Sequence, residues 1–191
     1  MSKTVHFAAF AFMCGLLVPA FAQAQNSPKP ETKTPRHEES HAAREPGVTS
    51  KAYGSWALRC EEGHAEGGSK ICEISETIQT ASNKPVAKIS VGRRKPGDPL
   101  TIVVILPTNV SFPSTVHLRT DKNDKWGLEL QWQRCIPGAC MASGEMYPAT
   151  VAHWSNLNTS GDIVFTDAGG DEVALPMSLQ GFGDAYNAFN K

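Results

Sequence analysis

Three sets of residues in this chain have types and spacings that could do chemistry. The sharpest is His37-Glu38-Glu39-Ser40-His41, which fits H-E-x-x-H. On a helix, that spacing puts two imidazoles one turn apart to hold zinc, with the glutamate as general base. The second set is Cys60, Cys72, Cys135 and Cys140, which could form disulfides or a zinc knuckle. The third is Arg93, Arg94 and Lys95 within "GRRKPGDP", a concentration of cations beside turn residues that suits an anionic partner. His64, His117 and His153 are scattered singly. No G-x-S-x-G accompanies them, so an envelope hydrolase would have to use His117 or His153 as its base in some other setting.

The elements that would have to position these groups decide among the readings. "HEESH" lies between Pro35 and Pro46, in a segment (25–50) whose only branched apolar residue is Val48. A catalytic zinc needs three protein ligands and a dry, shaped site. A stretch without apolar residues cannot offset its own ordering entropy, let alone build such a site. Residues 25–50 therefore read as a disordered Pro/charged tether and "HEESH" as polar linker. No metal site, no cofactor and no catalytic residue is expected.

Before the tether, residues 1–24 carry Lys3, an apolar run over 7–18, and Ala22-Gln23-Ala24. A positive start, a short apolar core and a small-residue exit make a secretory signal, with cleavage after Ala24 preferred to cleavage after Ala22. The competing reading is an uncleaved anchor, but the run is shorter than the roughly 20 residues a membrane span needs. No other stretch approaches that length, so no transmembrane span is expected in the mature chain. Removing Lys3 leaves 17 basic against 19 acidic residues, a near-balance that argues against nucleic-acid binding.

Export bears on the cysteines. The signal takes Cys14 with it, and an even number in a secreted chain reads as disulfides. Three pairings of four cysteines are possible. Closeness in sequence, with turn residues between, favours Cys60–Cys72 and Cys135–Cys140. C-x11-C and C-x4-C do not make the paired knuckles of a zinc site, and "CIPGAC" is too long for a C-x-x-C redox dithiol.

From residue 51 to 191 the composition becomes that of one domain. Short β-rich runs alternate with turns: 53–60, 70–79, 85–92, 99–107, 115–121, 126–135, 161–167 and 171–179. The run "PLTIVVILP" reads as a strand buried on both sides. Helical patterns are short, over 150–157 and near the C-terminus over 183–190. The expected fold class is all-β, an antiparallel β-sandwich or barrel-like domain with short helices. Trp56, Trp126, Trp132 and Trp154 read as core or half-buried strand residues rather than a sugar platform, because aromatics carry so much core burial.

The order of these elements carries a resemblance. "GSWALRC", a second Cys soon after, an apolar strand ending in Leu106-Pro107, "QRCIPGAC" and "ALPMSLQGFGDAYNAF" together resemble the invasion-associated locus B family of alphaproteobacterial exported proteins, over about residues 51–190. The resemblance implies a periplasmic or surface-associated protein, linked in pathogenic members to host-cell invasion, and supplies no known catalytic activity; the leading reading is a non-enzymatic binding protein. The partner expected is an envelope or host-surface protein, or an anionic envelope component, and the charges of the basic turn make Arg93, Arg94 and Lys95 the expected contact patch. The resemblance implies no catalytic residues and leaves the oligomeric state open.

Overall fold

A computed structural model of the chain describes residues 47–62, 70–120 and 125–191. The expected signal sequence, "HEESH" and His64 lie outside the described residues. Within them, ten strands and two helices follow one another: β1 (Val48–Tyr53), β2 (Trp56–Glu61), β3 (Ile71–Gln79), β4 (Pro85–Gly92), β5 (Thr101–Leu106), β6 (Thr115–Arg119), β7 (Leu128–Ile136), β8 (Ala139–Glu145), α1 (Pro148–Trp154), β9 (Ser160–Thr166), β10 (Glu172–Ser178) and α2 (Phe182–Phe189).

All ten strands belong to one antiparallel sheet, in the order β1-β2-β3-β4-β5-β8-β7-β6-β9-β10. The sheet curls into a half-barrel, so the barrel-like alternative is the one realised. The alternation of the sequence explains the layering. In β3, Ile74, Glu76 and Ile78 point inward while Ser75 and Thr77 point away. In β4, Ala87, Ile89 and Val91 point inward. In β5, the inward set is Ile102, Val104 and Leu106. Each inward isoleucine, valine and leucine of this set contributes about 1.5–3 kcal/mol through burial. β5 is not buried on both sides: Val103 and Ile105 are only half covered, and Val103 faces a groove described below.

Two strands differ from the sequence reading. β1 begins at Val48, three residues before the expected domain boundary. β8 fills a stretch in which no strand was expected, pairing with β5 through Leu106↔Cys140 to Thr101↔Glu145.

The open side of the half-barrel is closed at Trp56. Its indole N–H donates to the carbonyl of Ser178 at 2.8 Å. Phe182, wholly buried, packs edge-on against Trp56 and Trp154 with ring centroids at 5.0 and 5.9 Å. The β1–β2 turn reaches this seam: the amide of Ser55 donates to the carbonyl of Gln180 at 3.1 Å. Gly181 sits at φ +85°, and a Cβ there would overlap the Tyr53 carbonyl oxygen. Glycine alone meets both conditions.

Candidate functional site: a basic turn above a groove

Gly92 ends β4, and the chain turns through Arg93, Arg94 and Lys95 before β5. The amide of Asp98 donates to the Lys95 carbonyl at 3.1 Å, and Gly97 takes φ +90°. The turn therefore sets the backbone of the three basic residues at the end of two adjacent central strands. Arg93 is held further. Its guanidinium lies 5.2 Å from the centroid of the Phe189 ring and donates to Asn190 Oδ1 at 3.3 Å. The C-terminal helix α2 thus acts as a rest for Arg93. Arg94 is 90% exposed, with its Nε 3.7 Å from Asp98 Oδ2, a contact worth little in water.

Arg93 and Arg94 border a groove of about 660 Å³ on the sheet face opposite the core. Its floor is made of small and hydroxyl side chains, Ser90, Thr101, Val103 and Ser143, from β4, β5 and β8. Its lining also holds two carboxylates from β2 and β3, each with a cation: Arg59 Nη2 lies 2.6 Å from Glu61 Oε1, and Lys88 Nζ 2.8 Å from Glu73 Oε1. A second cavity of about 140 Å³ shares Ile71, Cys72, Arg93 and Arg94 with the first and adds Lys70, Lys95 and Phe189.

Both favoured disulfides are present, Cys60–Cys72 and Cys135–Cys140, each with Cα atoms 4.0 Å apart. Each joins residues directly opposite on paired strands, β2 with β3 and β7 with β8. The first pins β2 and β3, which carry Arg59, Glu61 and Glu73 of the groove lining. The second clamps the hairpin turn Pro137-Gly138, where Gly138 takes φ +87°.

The histidines go elsewhere. His117, on β6, stands opposite Glu129 of β7, and its ring nitrogen lies 3.1 Å from Thr115 Oγ1. His153, in the last turn of α1, lies with its ring 5.9 Å from that of Trp126. Neither lines either cavity. Among the described residues, no three His, Cys, Asp or Glu gather as a metal site, and no helix is long and apolar enough to cross a membrane. Trp56 and Trp154 are core residues, and Trp132 is half buried against Phe112 at 5.4 Å.

Sequence reasoning missed two features. One is the groove, which requires the register that sets β8 beside β5. The other is Glu76, which shares the inward face of β3 with Ile74 and Ile78. It is 7% exposed, and both its oxygens accept from the amide of Ser178, at 3.0 and 3.1 Å. Burial pushes its pKa from 4.5 up to about 7, with the Ser178 bond acting in the opposite direction. The charge of a glutamate on the inward face was the available signal.

These features define a class: a disulfide-braced antiparallel half-barrel closed by a C-terminal helix, with a cationic turn over an outer groove. Residues 56–190 match the Invasion associated locus B (IalB) protein family, and the chain belongs to it. Among solved structures it is similar to invasion associated protein B from Bartonella henselae, with a TM-score of 0.64 and 21% identity, covering 74% of this chain and 95% of that one. At that identity the likeness concerns the fold. No curated protein matches the sequence.

Proposed function

We propose that this protein is exported and acts by binding, without catalysis, in the periplasm or at the outer cell surface. Residues 1–24 serve as the signal peptide, and the segment from 25 to the start of β1 serves as a polar tether. The two disulfides and the family support an oxidising compartment outside the cytoplasm. The contact patch is Arg93, Arg94 and Lys95, and the partner is an anionic component or protein of the envelope or of a host surface.

The observation that carries this reading is the fixing of Arg93 by Phe189 and Asn190 at the lip of the groove. A solvated loop has no need of such a rest, whereas a binding cation gains from being ordered in advance. Crosslinking in the native envelope tests it, comparing the native chain with one in which Arg93, Arg94 and Lys95 are changed to Glu. Partners recovered from the native chain are expected to be lost from the charge-reversed one. Identical recovery overturns the patch.

A further inference from the structure

We propose that the outer groove binds an acidic oligosaccharide, a chain of hydroxyl-bearing rings carrying carboxylates. This rests on the binding role proposed above and names its ligand class.

The groove is long and crosses the strands. Its lining comes from β2, β3, β4, β5 and β8, which are consecutive in the sheet. At the usual strand spacing this corresponds to a trough about 19 Å long. Its volume of about 660 Å³ is that of a site for a ligand of a few rings, within the several-hundred-Å³ range of ligand pockets.

Three chemistries could fill such a trough. An extended peptide brings an N–H and a C=O with every residue, and each needs a partner. The floor lies within paired ladders, Gly92↔Thr101 and Val103↔Ser143 among them, so no free sheet edge is available for strand addition. An acyl chain would strip water from the hydroxyls of Ser90, Thr101 and Ser143. Among the described residues those hydroxyls have no side-chain hydrogen bond in which to take refuge, so dry burial under a hydrocarbon is unfavourable. A saccharide meets them with its own hydroxyls, each able to donate and accept.

The charge pattern adds the acid. The groove's own carboxylates, Glu61 and Glu73, are each paired with a cation, Arg59 and Lys88. At the end of β4, Arg93 is ordered by Phe189, and Arg94 stands almost fully exposed. Lys70 and Lys95 flank the adjoining cavity. Guanidinium forks match carboxylates bidentately. No tryptophan lines the groove, so recognition is by hydroxyls and guanidinium rather than by ring stacking.

Titration calorimetry on the disulfide-intact protein tests this with four probes: hexagalacturonate, uncharged maltohexaose, hexaglutamate and laurate. Hexagalacturonate alone is expected to bind, more weakly as salt rises. Its affinity should fall at least tenfold in Arg93→Ala/Arg94→Ala. It should fall similarly when the floor is filled by Ser143→Leu or Thr101→Leu, read in whichever variant keeps the native melting temperature. Equal binding of hexaglutamate, or full affinity in a folded floor-filled variant, shows charge attraction at the rim and overturns the groove. Binding of laurate or maltohexaose in place of hexagalacturonate overturns the ligand class. If no probe binds while the charge-reversed chain still loses its envelope crosslinks, the saccharide is wrong and the binding role stands. If the crosslinks are also unchanged, both fall.

Discussion

Glu76 is a carboxylate set among isoleucines, and its chemistry is a matter of sign. Its native pKa of about 7 lies above the ordinary 4.5. Between those values the folded chain holds a proton that the unfolded chain has released. The stabilisation is complete below about pH 4.5 and is lost as pH rises through 7. Glu76→Gln keeps an oxygen for the Ser178 amide and removes the charge. It is expected to raise stability by up to about 3 kcal/mol above pH 7 and by little near pH 4, given about 1.4 kcal/mol per pKa unit. Urea titrations across pH 4 to 9 read this directly, and an equal gain at every pH would refute the role of charge. Gly181 gives the opposite kind of residue, one selected by backbone shape. Gly181→Ala must abandon φ +85° or displace the Tyr53 carbonyl. Thermal melts should show a loss of about 3 kcal/mol or more, combining left-handed strain with overpacking.

At the scale of elements, β-rich runs with clear alternation were legible, and plain ones were not. β3, β4, β5 and β7 announce themselves through Ile, Val and Leu at alternate positions, and Phe182 to Phe189 through its aromatic spacing. β8, "ACMASGE", has small residues of low strand propensity; it is a strand because β5 and β7 lie on either side of it. β1 is an edge strand with four exposed residues in its middle, so its membership rests on backbone pairing that composition cannot display. The basic turn was legible as chemistry, whereas the groove it borders was not, because its floor joins residues from three strands. The disulfides were legible through their spacing, and each clamps one strand pair. In the loop-closure model, Cys60→Ser/Cys72→Ser should lower stability by about 3 kcal/mol and Cys135→Ser/Cys140→Ser by about 2. Denaturant midpoints of the two double variants test the order. Thiol counting on natively purified protein should find none of the four free.

At the scale of the whole molecule, the sheet is a meander from β1 to β5 and a return from β8 back to β6, finished by the β9–β10 hairpin. The curl brings the last strand against the earliest ones, and the joint is made by side chains: Glu76 and Trp56 take the N–H and C=O of Ser178. Leu179, Phe182 and Ala185 then fill the space beneath, all wholly buried. Removing residues 179–191 should therefore unfold more than a helix. Loss of a cooperative melting transition and a red shift of tryptophan emission are expected. A truncated chain that melts as sharply as the intact one would show the half-barrel to be self-sufficient.

The seam between the β1–β2 turn and Gln180 has a consequence in time. A chain is made, and threaded through any channel, with its N-terminus leading. Its first hairpin carries Trp56, whose partners Ser178 and Phe182 are among the last residues to emerge. Until they arrive, the opening strands can pair but cannot seal. A product stalled before β10 lacks these partners, so it is expected to be cleaved faster in limited proteolysis than a chain that extends through α2.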